Sequence, residues 1–201
     1  MKKGLLITIV VLAIVLIGGC SAYKSWQNGL NASRNNVEKE WAQVQNVYQR
    51  RADLIPNLVA TVKAAAAHEE NTYTEVANAR AKATQMTVNA SDLTEEKLKE
   101  FQQNQQQLSQ ALGKLLSIQE NYPQLQANQN FLALQAQLEG TENRITNERM
   151  NYNEAVNEYN TKVTNFPTSL IANSMGFKVR PTFQAEKGSE VAPKVSKDTQ
   201  F

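Results

Sequence analysis

Apolar residues fall along this chain in two different rhythms. From Gly4 to Gly19 they form an uninterrupted run rich in Leu, Ile and Val, followed by Cys20. Beyond Tyr23 they recur at steps of three, four or seven, separated by Asn, Gln, Glu and Arg. The first pattern has about the length, roughly 20 residues, that a helix needs to cross the hydrocarbon core of a bilayer. The second predicts amphipathic helices, each with one buried stripe.

The first amphipathic stripe runs through Trp26, Leu30, Val37, Trp41, Val44 and Tyr48, continues as Ile55, Leu58, Val59 and Val62, and crosses an Ala-rich stretch to Val76. Pro56 lacks an N–H and crowds the preceding turn, so a kink or restart is expected near Leu54. The helix is expected to end before Asn89-Ala90-Ser91-Asp92. A second helix follows, with Ser91 or Thr94 as N-cap and Glu95 and Glu96 in its first turn, where the helix dipole favours negative charge. Its stripe is Leu98, Phe101, Gln105, Leu108, Leu112, Leu115 and Ile118, and Asn121-Tyr122-Pro123 closes it. In the third helix Phe131, Leu138, Ile145, Tyr152, Tyr159 and Phe166 recur every seven residues. Such a repeat keeps one seam against a partner helix. Asn165-Phe166-Pro167 ends it, and Thr168 to Gly176 predicts a short fourth helix.

The fold class is therefore all-α: an elongated antiparallel bundle of three long helices plus a short fourth, preceded by one N-terminal transmembrane or signal-anchor helix. Three parts are expected: an anchor over residues 1–23, a helical bundle over 24–176, and an extended, then loosely ordered tail over 177–201. A helix of about 35 residues is roughly 50 Å long, so the bundle should be a rod.

Two anchors fit the N-terminal segment. Residues 4–23 suit a retained transmembrane helix. Alternatively, Ile17-Gly18-Gly19-Cys20 reads as a bacterial lipobox, with cleavage before Cys20, lipid on its thiol and residues 1–19 lost. The retained helix is preferred, because the run exceeds the usual ~7–15-residue signal core and Ile17 stands where Leu is more usual. Lys2 and Lys3 precede the run and Lys24, Arg34 and Lys39 follow it, so the flanking charges nearly balance. The two closely spaced lysines favour a cytoplasmic N-terminus, with the bulk of the chain on the non-cytoplasmic side of a bacterial membrane.

Composition adds a helical bias and removes some functions. Gly is scarce (8 residues), Asn and Gln together make up about a fifth of the chain, and the formal net charge is only +2. No clustered basic face suggests a nucleic-acid partner. One cysteine rules out an intramolecular disulfide, so the redox compartment cannot be read from the sequence.

Candidate chemistry is sparse. His68-Glu69 opens an HExxH-like string, but Thr72 stands where the second His belongs and the chain has 1 His in all. Two imidazoles one turn apart are what hold zinc in that motif, so no metal site is expected. No nucleophile–base set or Gly-rich phosphate loop is evident; neither catalytic residue nor cofactor is predicted. Arg50-Arg51 with Asp53 suggests either a docking point for an acidic partner or a phosphate or, preferably, an Arg paired with a carboxylate on a neighbouring helix, stabilising the kink beside Pro56. Asp53 and Asn57 lie one turn apart, and with Asn143 and Arg144 they are expected to form a polar layer that sets helix register. Gly140 inside the third helix suggests close helix approach.

Longer strings carry a family resemblance. Gln49-Arg50-Arg51-Ala52-Asp53-Leu54-Ile55-Pro56-Asn57-Leu58-Val59 resembles the signature of LemA-family membrane proteins. Val62-Lys63, His68-Glu69, Ala79-Arg80, the run from Glu139 to Ile145, and Arg149, Tyr152, Asn153, Val156, Tyr159 and Asn160 are similar in the same order. Phe166-Pro167-Thr168, Gly176-Phe177 and Ala192-Pro193-Lys194-Val195 resemble the family's ending. The resemblance implies one N-terminal transmembrane segment and a long-helix bundle, commonly with a short external N-terminus, and no established molecular function. Gly18-Gly19-Cys20 departs from the family's plain anchor.

The function expected on these grounds is a membrane-anchored, non-enzymatic scaffold or adaptor of the bacterial envelope, with the lipid bilayer and other envelope proteins as partners and an unspecified oligomeric state. The alternative is an envelope lipoprotein with a small-molecule or peptide-binding groove between helices, lined by Trp41, Tyr48 and Tyr152.

Overall fold

The computed structural model describes residues 2–86 and 88–184. Among the described residues six α-helices succeed one another: α1 (Lys2–Ala65), α2 (Glu70–Gln85), α3 (Glu95–Ser117), α4 (Pro123–Gln126), α5 (Gln129–Thr164) and α6 (Thr168–Ser174). Single 3-10 turns, Ala90–Asp92 and Ile118–Glu120, lie before and after α3. No strand occurs among the described residues. The fold is all-α, as the helical periodicity predicts. Residues 185–201, which include the remainder of the expected tail and the Ala192–Val195 string, lie outside the described residues.

α1 is the spine. Its 64 residues extend about 95 Å at 1.5 Å per residue. Leu5 to Ile17 are exposed along it, whereas Leu30, Val37, Trp41 and Val44 are buried against other helices. One unbroken helix thus leaves the apolar segment and enters the bundle without a linker.

The expected interruption at Pro56 does not occur: α1 continues through it. Pro56 cannot donate to the carbonyl of Ala52 four residues earlier, and the Arg80 Nε–H of α2 donates to that oxygen instead, at 2.8 Å. The chain breaks ten residues later, at Ala66–Glu69, where the sequence pattern predicts continuous helix. There the chain reverses, and α2 runs back along α1. The Tyr73 hydroxyl donates to Ala66 O (2.6 Å) and the Gln124 amide to Ala65 O (3.1 Å), which satisfies carbonyls at the end of α1. Reversal also buries Tyr73, Val76, Ala79 and Ala83 in one core with Leu108 and Leu112 of α3. A straight extension would leave that stripe in water, and burial of this kind outweighs the helix preference of a few alanines.

The result is an up-down-up-down bundle of α1, α2, α3 and α5. Lys114 of α3 pairs with Glu75 of α2 at 2.6 Å, and Arg51 of α1 pairs with Glu142 of α5 at 3.0 Å. Thr94 caps α3, its side chain accepting the Lys97 N–H, and Asn128 caps α5 by accepting the Phe131 N–H. The α3 stripe from Leu98 to Ile118 is buried as predicted. Of the seven-residue repeat in α5, Phe131, Leu138, Ile145, Tyr152 and Tyr159 are buried, but Phe166 lies beyond the helix end and is 80% exposed. Gly140 is exposed, with nothing within 4 Å of where a Cβ would sit. It therefore serves no close helix approach, contrary to expectation.

The core divides in two. One apolar cluster includes Leu30, Trp41, Tyr48, Phe101, Ile145 and Tyr152. The other includes Ile55, Leu58, Leu108, Leu115, Phe131 and Leu138. In each of α1, α3 and α5 one buried polar residue falls between the two sets: Arg51, Gln105 and Thr141.

Candidate functional site

Arg51 is the centre of that polar layer and only 2% exposed. Its Nη1 donates to Ser109 Oγ (2.9 Å) and Glu142 Oε2 (3.0 Å). Its Nη2 donates to the Gln105 side-chain oxygen (2.6 Å) and backbone carbonyl (3.3 Å). The guanidinium lies 5.1 Å from the centre of the Tyr48 ring, a favourable cation–π distance. Gln105 passes the connection on, its Nε2 donating to Ala83 O of α2 at 3.2 Å. One guanidinium and one amide therefore link all four long helices at a single level. The planar five-donor fork of Arg suits this role, which the point charge of Lys does not.

The expected layer of Asp53, Asn57, Asn143 and Arg144 is not formed. All four are exposed, and so is Arg50. Each helical residue turns the side chain by about 100°, so Asp53, two residues past Arg51, points away from the core. Asn143 and Arg144 fall between the inward positions Leu138 and Ile145 in the same way. Asp53 accepts a bond from Gln49 Nε2 at 2.7 Å within its own helix. Arg51 is inaccessible to an acidic partner, whereas Arg50 remains at the surface. The stripe spacing places Gln105 inward, and a Gln there is the signal for its polar role; nothing in the sequence marks Ser109 as a partner of Arg51.

A second set of polar groups holds the chain beyond α6. Gly176, at φ +74°, turns the chain out of α6, and residues 177–184 then run extended along α5. Tyr159 OH donates to Lys178 O (2.9 Å) and Tyr152 OH to Pro181 O (3.0 Å). Asn160 both donates to Arg180 O (2.9 Å) and accepts from Arg180 N (2.8 Å). Asn153 does the same with Phe183, at 3.1 and 2.8 Å. The spacing explains the pairing. Seven helical residues advance about 10.5 Å and three extended residues about 10 Å, so a Tyr-Asn pair repeated after seven residues meets every third strap residue. Arg180 closes the strap by donating to Ala90 O (2.6 Å) and Ser91 O (2.7 Å).

The strap fills the expected groove. Phe183 stacks on Trp41 with ring centres 6.1 Å apart and meets Tyr152 edge-on at 5.4 Å. Trp41 in turn contacts Phe101 and Tyr152, both at 5.4 Å, and its Nε1–H donates to Val88 O at 2.7 Å. Trp41, Tyr48 and Tyr152 are thus core residues, and the shallow recess that remains, about 210 Å³, is lined by Tyr48 and Phe101 but not by Trp41 or Tyr152. Burial raises the Tyr152 hydroxyl far above its ordinary pKa, and nearby Arg180 offsets part of that. Burial raises Tyr159 in the same sense. At the far end, burial and then Glu69 raise Tyr73 and Tyr122.

His68 and Cys20 are exposed, His68 in the reversal between α1 and α2 and Cys20 on α1. Among the described residues no group of three or more His, Cys, Asp or Glu side chains is spaced to hold a metal ion.

A membrane-length apolar helix continuous with an all-α bundle defines a membrane-associated helical protein. The chain belongs to the LemA family, whose model matches residues 40–196 and so takes in the Arg51 junction, both Tyr-Asn pairs and the strap. It is also similar to magnetosome protein MamQ 2 of Paramagnetospirillum magneticum, 32% identical over 80 residues, which are 40% of this chain and 29% of that protein. Magnetosome protein MamQ of Magnetospirillum gryphiswaldense is 34% identical over 68 residues, 34% of this chain and 25% of that protein. The chain spans less than a third of the length of these curated relatives.

Proposed function

We propose that this protein is a non-enzymatic scaffold or adaptor of the bacterial envelope, anchored by a retained transmembrane helix and presenting its bundle on the non-cytoplasmic side. The carrying observation is the unbroken α1, Lys2–Ala65. A flexible linker would let a domain wander over the membrane; a continuous helix sets its height and tilt. Such rigidity suits a protein whose task is to hold partners at a defined distance. The exposed polar faces carrying Arg50, Asp53, Asn57, Asn143 and Arg144 are the partner surface in this reading.

Photo-crosslinking residues placed at Asn57 and Asn143 of the full-length protein in its native membrane test the scaffold role. Discrete protein adducts, absent from probes at buried Leu58, are expected. Lipid adducts alone, or none, would count against it. Fatty-acid labelling of wild type and Cys20→Ala separates the anchors: no label and an intact residue 1–19 segment are expected, and lipid on the wild type alone would establish the lipoprotein.

A further inference from the structure

The bundle end nearest the apolar segment differs in surface from the rest. Trp41 packs on Tyr152 and Arg51 pairs with Glu142, an antiparallel register that brings the end of α5 level with residues 26–30 of α1. The corner between α5 and α6 sits there, with Phe166 80% and Leu170 66% exposed. On α1 at the same end, Tyr23 and Trp26 are exposed as well. Elsewhere the heptad aromatic residues of α5 face the core; Phe166 alone continues the repeat and faces out.

Charge follows the same division. From Cys20 to Val37 and from Tyr159 to Gln184 the chain has no Asp or Glu, but it has Lys24, Arg34, Lys162, Lys178 and Arg180. Glu158 pairs with Lys162 at 2.6 Å, and Asp92 and Glu95 border the recess lined by Arg34, Lys178 and Arg180. Lys24 is exposed, one residue past Tyr23. A hydrocarbon core beginning near Gly4 ends, about 30 Å on, near Tyr23. The α5–α6 corner then lies a turn above that boundary, within the headgroup layer, where aromatic side chains and lysines are favoured.

We propose that this end of the bundle is a second membrane contact, in which Phe166 and Leu170 enter the interface of an anionic leaflet and Lys24 meets its headgroups. The contact rests on the anchored reading above and sharpens it: the rod stands on the bilayer by a broad foot, not on a single helix. Anionic phospholipid is the occupant because apolar exposure and the exposed cation of Lys24, with no carboxylate from Cys20 to Val37, coincide at the level where the anchor emerges.

The test uses full-length protein with Cys20→Ser and one spin label, reconstituted in vesicles of phosphatidylcholine and phosphatidylglycerol. Labels at Leu170→Cys and, independently, Phe166→Cys are compared with Ile14→Cys in the anchor and Asn143→Cys on the bundle. Collisions with a water-soluble nickel chelate should fall several-fold at 170 and 166 relative to 143, while oxygen collisions rise. Lys24→Gln, or phosphatidylcholine alone, should weaken that shielding. Nickel access at 170 and 166 equal to that at 143, with position 14 in lipid, overturns the foot and leaves the anchor standing. Water access at position 14 overturns both. Shielding indifferent to lipid charge overturns the assignment to an anionic surface.

Discussion

Arg80 donates its Nε–H to the carbonyl of Ala52 across 2.8 Å, and that carbonyl is the one Pro56 leaves without a helical partner. The two features belong together: a proline that should interrupt α1 is accommodated because α2 folds back and supplies the missing donor. Arg80→Ala is expected to destabilise the protein by about 1.5–3 kcal/mol, the usual range for a charge-assisted bond. In a Pro56→Ala background, where residue 56 regains its N–H, less than half of that loss is expected. Chemical denaturation of the four proteins in detergent, followed by tryptophan fluorescence, measures the cycle. Equal costs in both backgrounds would separate Arg80 from Pro56.

The Arg51 junction predicts an asymmetry between partners. Glu142 is 56% exposed whereas Arg51 is 3% exposed at the side chain, so the ion pair itself should contribute little. Glu142→Gln is expected to cost under about 1 kcal/mol. Arg51→Ala removes four hydrogen bonds and leaves the buried Gln105 side chain with fewer partners, at a cost of about 3 kcal/mol or more. The same denaturation assay decides it; comparable losses for the two variants would place the stabilisation in the ion pair.

Alkaline pH should loosen the strap. Tyr152 and Tyr159 are raised above the ordinary tyrosine pKa of about 10 by burial. A raised folded-state pKa contributes stability that is whole below the unfolded value and lost as pH climbs through and beyond it. Stability should therefore hold to about pH 10 and then decline as the unfolded chain gains tyrosinate. Tyr152→Phe should make that decline shallower, after a loss at neutral pH of about 1 kcal/mol for the bond to Pro181 O. Denaturation midpoints from neutral to strongly alkaline pH give the comparison, and an identical alkaline slope in the variant would contradict the assignment to Tyr152.

Gly140 sits on an exposed face of α5 with open space where a side chain would lie. Gly140→Ala is expected to stabilise the protein by about 1 kcal/mol, the helix-propensity difference. A raised denaturation midpoint supports this, whereas a lowered one would reveal a close contact at that position.

Much of this fold was legible in side-chain periodicity. The α3 and α5 stripes, their caps near Thr94 and Asn165, and the apolar anchor follow from spacing alone. The hairpin between α1 and α2 does not, because Ala66-Ala67-His68-Glu69 has neither Gly nor Pro and its reversal is stabilised by distant Gln124 and by burial of α2. Pro56 misled for a related reason: its donor comes from Arg80, 28 residues away in sequence. Of the site residues, Arg51 could be read as an interhelix contact. The face occupied by Asp53 and Asn143 could not, since their polar spacing fits a wet surface as well as a buried layer. The strap was visible as an extended tail, but its partners were hidden in a Tyr-Asn repeat that also reads as ordinary heptad sequence.

The continuity of α1 from anchor to bundle is measured most directly by a spin-label distance across it. Native Cys20, the single cysteine, and Asn57→Cys lie on the same helix, about 55 Å apart at 1.5 Å per residue. Dipolar spectroscopy on full-length protein in phospholipid nanodiscs should give one narrow distribution at that separation. A broad distribution, or a mean well below it, would mean that the helix hinges between membrane and bundle, and the fixed rod would be wrong.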